Sequence, residues 1–93
     1  MCLDEYITIL KAFSDAKRLK ILSVLSTREH CACDLMEELE TTQSGLSYQM
    51  KILTEAGLVT GRPSGKWIHY RINSQGVAKA LSIIKMLTGV EEG

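Results

Sequence analysis

The sequence predicts a mainly α fold with one small β-hairpin, in the order ααααββα over 93 residues. Three observations carry that prediction. Apolar residues recur at spacings of three and four through most of the chain. Proline occurs once, at Pro63, so nothing interrupts a helix before it. After Gly57 the apolar period changes to strict alternation, the signature of strands.

Each element follows from its residues. Leu3, Tyr6, Ile7, Leu10 and Phe13 lie on one face of a first helix. Ser14 offers an N-cap, with Asp15 in the next first turn, for a second helix through Leu19, Ile21, Leu22, Val24 and Leu25. A third, acidic helix follows "CAC" and places Leu35 and Leu39 together. "TTQSG" makes a turn, with Thr41 or Thr42 capping a fourth helix. That helix aligns Leu46, Met50 and Leu53 and stops at Gly57, a natural left-handed residue. "LVTGR" and "WIHYRI" read as strands joined by "PSGK". Ile68, Tyr70 and Ile72 suit the core face, and Trp67, His69 and Arg71 the other, with Trp67 packing at the hairpin's base. Val77, Ala80, Leu81, Ile84 and Leu87 define a last helix.

Composition bounds the function. The chain is one small domain, 45% hydrophobic and 24% charged, hence globular, and association would help it bury apolar surface. No run spans a bilayer. The start carries Asp4 and Glu5 and no basic region, which argues against a secretory signal and for a cytoplasmic protein without a membrane partner. Three cysteines there are free thiols, not a disulfide framework. Net charge is zero but unevenly placed. Residues 1–40 hold five basic against eight acidic residues, and residues 41–75 hold four against one. That basic middle suits a phosphate-binding surface.

Two helices joined by a tight turn and followed by a basic hairpin form a winged helix-turn-helix, here residues 33–56 and 58–72 of a single domain, 1–93. "FSDAKRLKILSVL", "CACDLMEEL", "TTQSGLSYQMKILTEAGLV" and "SGKWIHYRI" follow in order. Together they resemble the signature blocks of the arsenical-resistance and metal-sensor repressors of the ArsR/SmtB family, over nearly the whole chain. The resemblance implies a homodimer joined through the helices at 3–13 and 77–87, bound to a double-stranded operator.

The fourth helix would be the recognition helix. Its outer residues near the N-terminus are Gln43, Ser44, Ser47, Tyr48, Gln49 and Lys51. Gln and Ser can read base edges, while Lys51 and the helix N-terminus favour phosphate. Gly45 would leave room for a sugar-phosphate strand. Arg62, Lys66 and Arg71 on the wing would add phosphate or minor-groove contacts. Any surface helix has a polar face, so the constellation carries more weight than a single member.

Cys31 and Cys33 pose a geometric question. Two residues apart on a helix, side chains diverge by about 200°, whereas in extended backbone they point the same way. Both can hold one ion only if the start of the third helix is locally non-helical. A helix N-terminus favours thiolate, and thiolates select soft metals and metalloids. "CACDL" resembles the family's Cys-x-Cys-Asp-Leu sensing motif, which implies no obligatory cofactor but an inducer ion: arsenite or antimonite foremost, cadmium or lead next. Some arsenite-sensing members carry a third thiol three residues further on, where this chain has Met36. In related sensors a further ligand comes from the N-terminal segment, sometimes of the other subunit, a role open to Cys2. Two other readings stay open: buried packing cysteines, and a labile redox- or reactive-sulfur-sensing pair.

His30 reads as a lone exposed residue or a fourth ligand, and His69 as outward-facing on the wing. The last helix lacks His, and Glu91 and Glu92 sit at its far end, so the family's alternative Asp/His site there cannot be assembled. No nucleophile–base set or Gly-rich phosphate loop points to an enzyme. A winged-helix module that binds protein instead of DNA is the remaining class, and salt-dependent binding to a duplex separates the two.

Overall fold

A computed structural model of the chain describes residues 2–91; Glu92 lies outside them. Five helices and a three-stranded antiparallel sheet make a winged helix-turn-helix: α1 (Leu3–Lys11), α2 (Ala16–Leu25), β1 (His30–Cys31), α3 (Ala32–Glu38), α4 (Gln43–Glu55), β2 (Val59–Ser64), β3 (Trp67–Ile72) and α5 (Ser74–Thr88). Among the described residues no helix is long and apolar enough to cross a membrane.

The expected hairpin is joined by a strand that the sequence did not announce. The sheet order is β1-β3-β2, and β1 pairs His30 with Tyr70 and Cys31 with His69. Two residues are too few to show alternation, so only the partner strand reveals β1. β2 and β3 pair from Val59–Ile72 out to Ser64–Trp67. Pro63 and Ser64 thus belong to the strand, and the turn narrows to Gly65 and Lys66. Gly65 has φ +62°, which glycine adopts without strain. Trp67 stands next to this turn, at the wing's tip and not its base. Of the presumed core face, Tyr70 is buried and Ile72 half-buried, but Ile68 is 42% exposed because the hairpin outruns the core.

The helix starts are chemically marked. Asp15, not Ser14, caps α2: its carboxylate accepts from Lys17 N at 3.0 Å and Arg18 N at 3.2 Å. Ser14 Oγ instead donates to Leu10 O in the turn before it. Thr42 caps α4 by accepting from Gly45 N at 3.0 Å. Gly57, φ +78°, ends α4 as expected.

Ile21, Leu35, Met50, Leu53, Leu58 and Val59 are the largest fully buried side chains, so α2, α3, α4 and the base of the wing share one core. α1 joins this core through Ile9 and α5 through Ala80 and Ile83, and the two helices pack on each other, with Tyr6 Oη donating to Met86 Sδ at 3.9 Å and Lys79 paired with Glu5. These two helices leave Leu3, Ile7, Leu81, Ile84, Met86 and Leu87 exposed.

Candidate sensor and nucleic-acid interface

α4 turns Leu46, Met50 and Leu53 into the core, which leaves Gln43, Ser44, Ser47, Tyr48 and Lys51 exposed on its outer face. Tyr48 is the most open of them, at 65%. Gln49 departs from the expectation of a base-reading residue. It is half-buried, and its Oε1 accepts from Arg18 Nη1 at 2.8 Å. Arg18 also donates through Nε to Ala12 O and through Nη2 to Lys11 O. Gln49 therefore ties α4 to the end of α1. A Cβ at Gly45 would lie 2.8 Å from Thr41 Oγ1 and 3.1 Å from Thr42 Oγ1, so the turn's own threonines already call for a glycine there.

Beside the start of α4 runs a groove of about 530 Å³, lined by Lys17, Lys20, Thr42, Ser44, Tyr48 and Gln49 among others. Lys17 and Lys20 bring two cations from α2 to the recognition-helix side, a contribution the sequence reading missed. Their spacing of three on one helical face was the available signal.

On the wing, Lys66 and Arg71 are exposed. Arg62 is also exposed but engaged: its Nη2 donates to Glu29 Oε1 at 2.6 Å, and His69 Nδ1 lies 3.5 Å from the same oxygen. The Arg62 hydrogen bond holds the Glu29 carboxyl below its ordinary range.

The thiol pair sits where the sheet meets α3. Cys31 ends β1 and is the N-cap of α3, with extended backbone at φ −75°, ψ 158°. Cys33 lies in the helix's first turn. The non-helical start required for two converging sulfurs is thus present. Their Cα atoms are 5.3 Å apart and the two sulfurs form a disulfide, where the sequence reading expected free thiols; Cys2 is the free cysteine among the described residues. Asp34 N donates to Cys31 Sγ at 3.2 Å, the cap bond usually supplied by an oxygen. Cys31, Cys33 and Asp34 hold their donor atoms within 4.8 Å of one another, the sole cluster of three metal-ligating side chains among the described residues. Once reduced to thiolates, the two sulfurs are donors that fit a thiophilic ion.

The other candidates fall away from this cluster within one chain. Cys2 is exposed at the start of α1 and outside the group. Met36 packs against the core. His30 is buried at 8% exposure, not the exposed residue expected, and its Nδ1 lies 2.9 Å from Arg28 O.

A helix-turn-helix with its recognition helix exposed, flanked by a basic wing, defines a winged helix-turn-helix transcription regulator. The model of the "Bacterial regulatory protein, arsR family" matches residues 15–60. The chain is 44% identical over 81 residues to the arsenical resistance operon repressor of Bacillus subtilis (strain 168), covering 86% of this chain and 77% of that one. It is 47% identical over 73 residues to the repressor of the same description from Staphylococcus aureus, covering 78% and 70%. Among solved structures it resembles, at TM-score 0.76 and 25% identity over 94% of this chain and 81% of the other, a homodimeric winged helix-turn-helix DNA-binding domain from Mycobacterium bovis, described as a possible ArsR-family regulator. The chain belongs to the ArsR family, and the relatives named are repressors, not enzymes.

Proposed function

We propose that this protein is a homodimeric repressor that binds an inverted-repeat operator and leaves it when a thiophilic ion binds Cys31 and Cys33. Arsenite and antimonite are the foremost inducers, with cadmium and lead next. The observation that carries the reading is the meeting of the two sulfurs at the point where β1 ends and α3 begins. When bound, the ion supplies strong bonds to both thiolates. Everything else is done by the chain.

Cys31 has two mechanical connections. Its sulfur caps α3, and α3 packs on α4. Its backbone pairs with His69 of β3, the central strand of the wing. Drawing Sγ of Cys31 away from Asp34 N unlatches the first turn of α3 and pulls on the wing together. Both DNA-reading elements then change position relative to the dimer axis. The sequence alone suggested only the path through α3.

The exposed apolar faces of α1 and α5 support the dimer. Full burial of a large apolar side chain stabilises by about 1.5–3 kcal/mol, and Leu3, Ile7, Leu81, Ile84 and Leu87 offer several per protomer. In a dimer on an inverted repeat, the recognition helices enter major grooves about 34 Å apart. Sedimentation is expected to give a dimer and gel shift to retard a palindromic promoter fragment. A stable monomer that shifts no such fragment would refute the proposal.

The wing and α4 separate by their effects. Arg62→Ala or Lys66→Ala is expected to weaken binding across sequences and lower the salt slope by about 1 per lost phosphate contact. Gln43→Ala is expected to relax preference at one base pair, by about 1–3 kcal/mol. A salt titration in which the wing variants match wild type would remove the wing from the interface.

The joined sulfurs favour a second reading, a thiol-oxidation switch, in which an added peroxide or disulfide takes two electrons and two protons from the pair. Operator affinity of oxidised and reduced protein without any ion tests it. Equal affinities would eliminate it.

A further inference from the structure

We infer that Arg18 and Gln49 are positioning residues of operator recognition: together they fix the angle between α1, on the proposed dimer face, and the recognition helix α4, and so set the half-site spacing that the dimer accepts. The inference rests on the reading of α1 as a dimer helix and α4 as the recognition helix, and adds the link between them.

Arg18 stands in the first turn of α2 with its side chain 12% exposed. Its guanidinium divides three ways. Nε donates to Ala12 O at 3.0 Å and Nη2 to Lys11 O at 3.1 Å, both at the C-terminal end of α1. The last carbonyls of a helix lack partners within it and favour a cation. Nη1 donates to Gln49 Oε1 at 2.8 Å, midway along α4. Asp15, the cap of α2, lies 4.0 Å from the same nitrogen. Three helices therefore meet at one planar group. A guanidinium holds its acceptors in fixed relative directions, which an ammonium does not. The core side of α4 is apolar, through Leu46, Met50 and Leu53, and apolar burial is non-directional. The charged hydrogen bond supplies the direction.

Arginine has donors only, so Gln49 turns its carbonyl oxygen to it and commits that oxygen to the link. The angle so fixed matters at the DNA. Grooves about 34 Å apart place each recognition helix roughly 17 Å from the dyad. At that radius a turn of about 10° moves the helix by about 3 Å, close to the 3.4 Å rise of one base step. A dimer whose α4 swings by this amount accepts half-sites one base pair out of place.

The test uses reduced full-length protein to select an inverted-repeat duplex from a randomised pool. The selected duplex is then remade with one base pair added or removed between its half-sites. Respacing is expected to cost the wild type roughly 10-fold or more in affinity, the scale of one mismatched base pair. Gln49→Ala is expected to shrink that ratio to roughly 3-fold or less while remaining a dimer in sedimentation, and Gln49→Leu, which fills the space without an acceptor, to do the same. Gln49→Glu keeps an acceptor for Arg18. It is expected to recover the wild-type ratio at lower absolute affinity, because it adds negative charge near the DNA backbone. Neither a space-filling residue nor a base-reading one produces that pattern. A wild-type ratio in Gln49→Ala, loss of the dimer in Gln49→Ala, a Gln49→Glu ratio as flat as that of Gln49→Ala, or an effect confined to preference at one base pair would overturn the inference and leave the repressor reading standing. A wild-type protein that selects no inverted repeat would instead overturn that reading.

Discussion

Replacing both thiols, Cys31→Ser with Cys33→Ser, is expected to leave operator binding at the wild-type level and to abolish its response to arsenite, antimonite, cadmium and lead. The first half follows from the cap. Cys31 Sγ accepts from Asp34 N, and serine is among the better N-cap residues. The hydroxyl can take over that bond, so α3 and the β1–β3 pairing stay in place. The second half follows from the loss of both soft donors. In the wild type the inducer is expected to weaken operator binding roughly 100- to 1,000-fold, which corresponds to about 2.7–4.1 kcal/mol of coupling. Fluorescence anisotropy on a labelled operator, with reduced protein, reads both halves. A double variant that still releases DNA on ion addition would place the sensor elsewhere.

Gly76→Ala is expected to be among the most damaging single substitutions far from the thiols. A Cβ at this position in α5 would lie 1.8 Å from Gly57 O and 2.6 Å from Gly57 C, at the end of α4. The carbonyl cannot swing clear, because Asn73 Nδ2 donates to it at 2.9 Å. Asn73 N is tied at the same time to Leu58 O at 2.9 Å. The clash is backbone against backbone, so α5 has to move off α4. Overpacking of this kind costs about 1–3 kcal/mol, and each kcal/mol lowers the melting temperature of a domain this size by roughly 4–8 °C. The substitution is expected to weaken operator binding too, since α5 carries part of the proposed dimer face and α4 the recognition surface. Gly65→Ala is the control. Nothing lies within 4 Å of its Cβ, and only the positive φ of +62° opposes it, a strain of roughly 1–2 kcal/mol. Thermal unfolding in which Gly76→Ala melts with the wild type would show that the α4–α5 contact is not as close as described.

The fold was legible because its punctuation is local. Thr42, Gly57 and the alternation of "WIHYRI" each act on their own neighbours, and together they place α4 and the wing. What escaped is what depends on a distant partner. β1 exists only because Tyr70 and His69 stand beside His30 and Cys31. Gln49 looks like any outward polar residue until Arg18, from 31 positions earlier, is seen to hold it. Arg62 likewise reads as a free cation until Glu29 appears beside it. The sequence reading put the cap of α2 at Ser14, and the structure puts it one residue on, at Asp15. Asp15 has the extended backbone a cap requires, whereas Ser14 is drawn back to Leu10. The thiol geometry was readable as a condition, a non-helical start for α3, and the extended backbone of Cys31 meets it.

The central claim is that ion binding at Cys31 and Cys33 and operator binding oppose each other through one conformational equilibrium. Thermodynamic reciprocity makes this measurable from the ion's side. Cadmium affinity of the reduced wild-type protein is determined by chelator competition, first alone and then saturated with operator duplex. The account predicts that DNA weakens cadmium by the same factor by which cadmium weakens DNA, roughly 100- to 1,000-fold. Equal cadmium affinity with and without operator would contradict it.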